Sequence, residues 1–481
     1  MSFSFLTIKM SQLIYTIALL KLRLVNKMKL KLTITSLIIN SKTTNTWLRS
    51  LCVALCLSCS SNVMAENRID GQRPDAPKLA AYGEHAIGVR TLEVTNLNQI
   101  DILKLDPTQE KPVKMPRYDR SLALEVWYPA VKGSQGNTIL KAYLRDGKTE
   151  VDLHGKAIRD AKPITNQNAF PLVLISHGYP GNRFLLSHLA ENIASKGYVV
   201  VSIDHTDSTY RTQAAFTSTL VNRPSDQLFV LSQVEKLSQD KSSFLYGLVD
   251  ASNTGLIGYS MGGYGAVVNA GAGLTEQVVT SKLGAPFNTL KRHQSGIKPK
   301  ADKRLKTVIA FAPWGMNYYM FSTDTLKEVS VPMLLVAGSQ DDVSGYENGV
   351  RAIWQGITNV DRSLLTYDNA NHNAGAVMPA PAESFKFDKQ LGFNLSEHYV
   401  DAVWDNARMN NIAQHFVSAW LDKYLKHDNA MNAYLDVVPH SNKGVYAVDK
   451  KGEPKQKHTY WKGFANRTAK GLHFESLKAI K

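Results

Sequence analysis

Cysteine is scarce and confined to one end of the chain. All three cysteines of the 481 residues, Cys52, Cys56 and Cys59, lie within the first 65 residues. A protein cut after this segment therefore has no disulfide, no thiolate zinc site and no cysteine nucleophile. The remaining 416 residues are enough for a hydrophobic core to stabilise the fold without cross-links.

Acidic residues are absent from the same N-terminal segment. Residues 1–65 contain eight Lys or Arg and no Asp or Glu. Without this segment, 48 basic residues face 41 acidic ones, so the net charge falls from +15 to +7. A surplus this small, spread over 416 residues, argues against a nucleic-acid-binding protein. We therefore predict no nucleic-acid partner.

Long hydrophobic runs are also absent, which favours an export leader over a membrane anchor. The uncharged run Ser50–Ala65 is shorter than the roughly 20 apolar residues that a spanning helix needs. Arg49 precedes this run, and Val63 and Ala65 supply the small residues of a secretory cleavage site. We predict a signal peptide over residues 1–65, cleaved after Ala65, and a protein exported to the periplasm or the extracellular space.

Lipid attachment at Cys59 is the alternative for this leader. Cys59 is followed by small polar residues, but the residue three before it is Cys56 where lipoprotein processing favours Leu or another aliphatic residue. The leader or this lipid anchor is the only predicted membrane contact. An internal start at Met28 would give a leader of more usual length, which leaves open whether residues 1–27 are translated.

Metal-binding and nucleotide-binding motifs are missing. The chain has no HExxH helix and no Walker or dinucleotide-binding glycine pattern after a first strand. Asp204, His205 and Asp207 are close in sequence, but no second histidine pair accompanies them. Hydrogen bonding within a loop explains these residues better than a metal site, and we predict neither a metal nor a cofactor.

Short apolar runs dominate the middle of the chain. Between most of them lie stretches of helical length, which is typical of a mainly parallel sheet that is covered by helices on both faces. Two earlier runs, Ile87–Val94 and Leu122–Tyr128, are predicted to begin the sheet. The later runs are Leu172–Ser176, Val199–Ile203, Thr254–Gly258, Val308–Phe311, Met333–Ala337 and Leu364–Tyr367.

A Gly-x-Ser-x-Gly pentapeptide, Gly258 to Gly262, lies where one of these strands meets a predicted helix. Such a turn is so tight that only small residues fit on either side of the serine, which it exposes at the edge of the sheet. An isolated pentapeptide would also fit an ordinary strand–helix turn. The position between a strand and a helix favours Ser260 as a nucleophile.

A serine hydroxyl needs a base within hydrogen-bond reach and a carboxylate that orients the base. His372 follows one of the predicted strands, and Asp341 and Asp342 follow the strand before it. We prefer Asp341 because a Gly-x-x-Asp spacing ends that strand, with Asp342 open as the alternative and Asp368 as a weaker third candidate. The predicted catalytic residues are therefore Ser260, Asp341 and His372.

Two backbone amides are needed to bind the oxyanion that forms during acyl transfer. Met261 follows the nucleophile, and Tyr179 lies in the loop after an early strand, where Pro180 cannot donate. His177, in the same loop, is predicted to be a structural histidine. Trp314 is predicted to line the acyl side of the substrate site, with packing in the core as an equally good explanation.

Three segments carry a resemblance to a known family. They are His177-Gly-Tyr-Pro-Gly-Asn-Arg183, Leu189-Ala-Glu-Asn-Ile-Ala-Ser-Lys-Gly-Tyr-Val199 and Asp204-His-Thr-Asp-Ser208. The chain thereby resembles the α/β-hydrolases of the platelet-activating-factor acetylhydrolase and dienelactone-hydrolase-like group over roughly residues 83–425. Its Gly-Tyr and Ser-Met-Gly-Gly pairs are also similar to those of cutinase-type polyester hydrolases. The resemblance implies a serine hydrolase that acts on carboxylic esters. Dienelactone hydrolases use cysteine where this chain has Ser260, so their substrate is not carried over.

The predicted fold is an α/β-hydrolase fold, with a mainly parallel central sheet, helices on both faces and insertions. The hydrolase domain is predicted over residues 66–427, with insertions at 211–247 and 274–306, and a C-terminal extension follows over 428–481. The second insertion has eight Lys or Arg against two acids. A solvated charged face is the preferred interpretation, and a lid that faces anionic lipids or polymers is the alternative.

The predicted function is an exported serine esterase that cleaves short-acyl or lipid-like esters through an acyl-enzyme. A polyester hydrolase or an amidase with the same triad is an alternative, and the sequence leaves the acyl chain and the leaving group open. A non-enzymatic binding protein on a hydrolase fold is disfavoured because all parts of the triad are present in order. The predicted partner is a small-molecule or lipid ester, and the oligomeric state is left open.

Overall fold

The structure is a computed structural model that describes residues 66–480, apart from 107, 110, 111, 113, 166, 167 and 282–284. The predicted signal peptide, its cleavage site and the alternative lipid attachment at Cys59 lie outside the described residues. In the described part of the chain, no helix is both long and apolar enough to cross a membrane.

Strands and helices alternate through the middle of the chain. The strands are β1 (Asn67–Arg68), β2 (Ala86–Ile100), β3 (Arg117–Ala130), β4 (Ile139–Tyr143), β5 (Glu150–His154), β6 (Ile158–Arg159), β7 (Phe170–Ser176), β8 (Val199–Asp204), β9 (Val249–Tyr259), β10 (Leu305–Phe311), β11 (Met333–Gly338), β12 (Arg362–Tyr367), β13 (Phe387–Asp388), β14 (Phe393–Asn394) and β15 (Leu472–Leu477). The α-helices are α1 (Ser187–Ala194), α2 (Phe216–Gln239), α3 (Met261–Asn269), α4 (Glu276–Thr280), α5 (Thr323–Leu326), α6 (Ala352–Gly356), α7 (Asn406–Leu425) and α8 (Asn432–Leu435).

In the described part of the chain, ten strands form the central sheet, in the order β15-β12-β11-β10-β9-β7-β8-β3-β2-β6. The six strands from β12 to β8 in this order run parallel to one another. Antiparallel strands flank them, with β3 beside β8 and β15 beside β12. Every predicted strand is therefore present, and the sheet is mainly parallel as predicted.

The sheet separates two hydrophobic cores. Alternate residues of β7 belong to different cores, with Leu172 and Leu174 on one side and Val173 and Ile175 on the other. Helices α2 and α3 cover the first side, and α1 and α7 cover the second. Because successive side chains of a strand point to opposite faces, a strand that is covered on both faces is apolar throughout. This arrangement confirms the predicted α/β class with helices on both faces.

Three segments that the sequence sets apart from the core contribute to it. The region 211–247 contains the 24-residue helix α2, which packs against α3 and β9. The extension 428–481 contains β15, whose residues pair antiparallel with β12 from Arg362 to Tyr367. In the basic segment 274–306, Val278, Val279 and Leu290 are buried.

Candidate active site

Ser260 lies in the tight turn between β9 and α3. Its backbone angles, φ 54° and ψ −113°, fall in a region that non-glycine residues rarely adopt. A Cβ atom on Gly258 would come within 2.2 Å of the Gly262 carbonyl oxygen, and one on Gly262 within 2.0 Å of the Ser176 oxygen. Both positions therefore require glycine, which accounts for the Gly-x-Ser-x-Gly spacing.

His372 and Asp341 meet at the ends of two neighbouring strands. Nδ1 of His372 lies 3.0 Å from each carboxylate oxygen of Asp341. Asp341 follows β11 and His372 follows β12, and these strands are paired in parallel up to Gly338 and Tyr367. The carboxyl ends of parallel strands lie at the same edge of the sheet, so the loops that carry the two residues are brought together.

The surroundings of Asp341 keep its side chain ionised. Burial opposes the charge, but the hydrogen bond from His372 and the amides of Ser344 and Val343, at 2.8 and 2.9 Å, outweigh it. The pKa of Asp341 is therefore below its ordinary value. An ionised Asp341 holds the proton of His372 on Nδ1 and leaves Nε2 available as a base.

The two other candidate acids lie elsewhere. Asp342 is exposed and lines the cavity in front of His372 without contacting the imidazole. Asp368 pairs with Nε2 of His473 on β15, at 3.1 Å. Of the three aspartates, the structure brings only Asp341 to His372.

Ser260 and His372 line one cavity of about 540 Å³. They are not hydrogen-bonded to each other in this structure, and the Ser260 hydroxyl has no hydrogen-bond partner among the described residues. Contacts of this kind are often loose in the absence of substrate and tighten when it binds. The other residues that line the cavity are Arg145, Gly178, Tyr179, Pro180, Tyr259, Asp342, Val343, Asn371, Asn373, Phe393, Glu397, His398, Val400 and Ala402.

The two predicted oxyanion donors flank the nucleophile. Met261 begins α3, where the first amides have no acceptor within the helix. The amide of Tyr179 makes no hydrogen bond to a described residue, and Tyr179 lines the same cavity as Ser260. The Tyr179 residue therefore faces the cavity, whereas Met261 is buried directly after Ser260 and is not one of the residues that line the cavity.

Helix α2 donates hydrogen bonds to carbonyl groups beside both of these residues. Arg223 donates hydrogen bonds to the carbonyl oxygens of His177 and Gly178, and to the Ser208 hydroxyl at 2.6 Å. Gln227, one turn later, donates to the Gly262 carbonyl at 3.0 Å. The helix that the sequence treats as part of an insertion therefore holds the Tyr179 loop and the serine turn in place.

His177 is a structural histidine, in agreement with the prediction. It is fully buried, with Nδ1 2.7 Å from the Gly178 oxygen and Nε2 accepting the amide of His205 at 3.2 Å. Burial, and then the nearby charge of Arg223, hold its pKa well below the ordinary value. A neutral imidazole therefore joins the two loops.

A second Ser-His-Asp arrangement lies beneath the site. Ser176 and Asp226 are each 2.8 Å from a ring nitrogen of His205, and Arg120 pairs with Asp226 and Asp207. All five side chains are buried, so a substrate has no access to them. No group of three or more metal-ligating side chains is found in the described part of the chain.

Trp314 contacts the nucleophile turn but does not line the cavity. Its amide donates to the Ser260 carbonyl at 3.2 Å. Its ring packs 5.1 Å from Phe216, which in turn packs 5.0 Å from Tyr179, and stacks on Tyr318 at 4.5 Å. Phe216 thus lies between Trp314 and Tyr179, which is part of the cavity wall.

Part of the cavity wall comes from residues that the sequence did not single out. Arg145 lies in the turn between β4 and β5, while Phe393 and His398 come from the chain after His372. None of them belongs to a motif with a recognisable spacing. Only the folding of distant segments onto the carboxyl edge of the sheet brings them to Ser260.

Known proteins are similar to part of this chain. A family model described as PET hydrolase-like matches residues 161–299, a segment that contains Ser260 and ends before Asp341. Cutinase est1 of Thermobifida alba is 25% identical over 209 residues, which cover 43% of this chain and 55% of that protein. A bis(hydroxyethyl) terephthalate hydrolase of Streptomyces coelicolor is 23% identical over the same length, 52% of that protein. The chain thus spans about half the length of these relatives.

A solved structure is also similar to this chain. A ferulic acid esterase from Streptomyces cinnamoneus superimposes with a TM-score of 0.48 and 20% identity, over 76% of this chain and 94% of the other.

Proposed function

We propose that this chain, an α/β-hydrolase by its fold and its similarity to cutinases, is a serine hydrolase that cleaves carboxylic esters. The observation that carries the proposal is the arrangement at the carboxyl edge of the sheet. A strained serine turn faces the same cavity as a histidine whose Nδ1 lies 3.0 Å from a buried, ionised aspartate.

The reaction begins when Ser260 attacks the ester carbonyl while Nε2 of His372 takes its proton. Asp341 stabilises the imidazolium that forms, and the amides of Met261 and Tyr179 bind the negatively charged oxygen of the tetrahedral intermediate. The intermediate collapses as His372 gives its proton to the leaving alcohol. Water, activated by His372, then attacks the acyl-enzyme and releases the acid and the free Ser260 hydroxyl.

The substrate is proposed to be a short-acyl or lipid-like ester that the protein meets outside the cytoplasm, since the sequence predicts an export leader. A cavity of about 540 Å³ is within the range of small-molecule sites. Polyester hydrolysis is the second candidate, and the PET hydrolase-like match around Ser260 favours it. An amide substrate would use the same residues.

Turnover of 4-nitrophenyl esters from acetate to palmitate, beside release of acids from polyester films, tests this proposal. Ser260→Ala is expected to lower kcat on the order of 10⁴-fold or more with no change in melting temperature. Ser252→Ala is the matched control, because this serine lies exposed on β9, the strand that precedes Ser260. If Ser260→Ala turned over esters at the wild-type rate, the assignment of Ser260 as the nucleophile would be overturned. A preference for acetate and butyrate over films would favour the small-ester substrate over the polyester.

A further inference from the structure

Arg145 places a cationic side chain in the wall of the catalytic cavity. It is partly buried there, and its guanidinium carbon lies 5.8 Å from the centre of the Phe393 ring. Among the described residues, no carboxylate lies within ion-pair distance of it and no acceptor takes a hydrogen bond from it. The mechanism above gives this guanidinium no role.

The turn that carries Arg145 is fixed on both sides. The carbonyl of Tyr143 accepts a hydrogen bond from the side chain of Asn182 at 3.0 Å, and Asn182 directly follows the loop that supplies the oxyanion donor Tyr179. On the other side of Arg145, the carboxylate of Asp146 pairs with Lys386 at 3.4 Å. The turn that carries Arg145 is therefore held to the chain after Tyr179 on one side and to Lys386 on the other.

The carboxylates near the cavity leave the Arg145 charge without a partner. Asp341 is paired with His372. Glu397 accepts the amide of Asn394 at 3.1 Å, and Asp342 is exposed; neither carboxylate forms an ion pair with Arg145. The pKa of His398, another lining residue, is lowered to about 3 by burial and then by the charge of Arg145.

A guanidinium is always charged and offers several donors in a planar arrangement that matches a carboxylate. At a partly buried site, a charge-assisted pair of hydrogen bonds is stronger than the same pair in water. A carboxylate that entered with the substrate would find these donors free.

We propose that Arg145 binds an ionised carboxylate of the substrate, so that the enzyme prefers esters that carry a second, free carboxylate, such as half-esters of dicarboxylic acids. The proposal rests on the proposed esterase function and names the substrate class of that site. Arg145 acts here as a specificity-determining residue and takes no part in bond breaking.

Matched pairs of esters test this inference with the full chain. Mono(4-nitrophenyl) glutarate and 4-nitrophenyl pentanoate differ in a carboxylate on the acyl side, while 4-acetoxybenzoate and phenyl acetate differ on the alcohol side. For each pair we define the ratio of kcat/KM for the anionic ester to that for the neutral ester. We expect wild type to favour the anionic member of at least one pair, and the preference to weaken with added salt.

Arg145→Met is expected to lower this ratio by about tenfold or more, the usual effect of losing a hydrogen bond to a charged group. Arg145→Lys keeps the charge without the planar donors, and its ratio is expected to lie between those of wild type and Arg145→Met. Arg211→Met is the control for net charge, because Arg211 lies on a separate cavity, 4.3 Å over the Tyr143 ring, and its loss should leave the ratio unchanged.

An equal ratio in wild type and Arg145→Met would overturn the role of Arg145. The same would follow if Arg211→Met lowered the ratio as much as Arg145→Met does. In both cases, turnover of the esters would leave the proposed function intact. Absence of turnover on every ester, with folded protein, would instead overturn the proposed function.

Discussion

Asp341 and Asp342 are neighbours with the same side chain and different surroundings. Asp341 is buried against His372 and accepts two backbone amides, whereas Asp342 is exposed to solvent. An ionised carboxylate that contacts a catalytic histidine fixes the tautomer of the imidazole. An exposed carboxylate that does not contact the imidazole cannot fix it. The two aspartates therefore offer a comparison within a single loop.

Asp341→Asn is expected to lower kcat on ester substrates by about 10⁴-fold, because an amide no longer holds the His372 proton on Nδ1. Asp342→Asn should lower it less than about tenfold, since Asp342 does not contact the imidazole. Steady-state kinetics on one 4-nitrophenyl ester, with melting temperatures as a control for folding, measures both. Equal and mild losses in the two variants would contradict the assignment and direct attention to Asp368.

Helix α2 connects the sheet to the segments around Ser260 through buried polar side chains. Arg120 on β3 pairs with Asp226 of α2 at 2.7 Å, and Arg223 and Gln227 of the same helix donate hydrogen bonds to the His177 and Gly262 carbonyls, beside Tyr179 and Ser260. These residues are nearly inaccessible to solvent. A helix whose inner face is this polar lacks the apolar stripe by which amphipathic helices are found. That is why the sequence predicted an insertion over 211–247.

Removal of the buried cation should therefore destabilise the fold strongly. Arg120→Met leaves Asp226 and Asp207 buried without their partner, and we expect the free energy of unfolding to fall by about 3–5 kcal/mol. Arg68→Met, which removes a cation that is about half exposed, should cost about 1 kcal/mol or less. Urea unfolding of both variants measures the difference. Similar losses would show that the Arg120 pair is no more important than a surface ion pair.

The sequence predicted the strands and the catalytic loops because both depend on local signals. Strands that are buried on both faces, such as β7 and β11, are short apolar runs, and the turn at Ser260 requires glycines at fixed positions. The wall of the cavity could not be predicted in this way. Arg145 and Phe393 are far apart in the chain and meet only in the folded protein. In β15, only Leu472 and Phe474 are buried, and polar residues interrupt the apolar run that marks the inner strands.

At the scale of the whole molecule, the interior contains several histidines that are neutral when folded. Burial lowers the pKa of His188 and His415 to about 3 and that of His293 to about 4. Below pH 6.5, the ordinary value, the unfolded chain binds protons at these positions and the folded chain does not. The stability that comes from burying these histidines in their neutral form is thus fully present above pH 6.5. It is lost as the pH falls toward the pKa values that the histidines have in the folded protein.

Urea unfolding between pH 7.5 and 5.5 should therefore show a loss of stability that steepens as the pH falls, by about 1 kcal/mol for each such histidine on going from pH 6.5 to 5.5. His188→Leu, which removes one titrating group from the core, should reduce the slope by about one proton. A free energy of unfolding that is constant over this range would contradict the neutral state of the buried histidines.

The proposed function requires Ser260 to be an activated nucleophile in an assembled site. Its most direct test is to label folded protein with a fluorophosphonate, a serine-directed reagent that needs an activated hydroxyl, and to locate the label by peptide mass spectrometry. We predict stoichiometric labelling at Ser260, no labelling of Ser260→Ala and slow labelling of Asp341→Asn. Folded wild-type protein that takes no label, or takes it at another serine, would contradict the account.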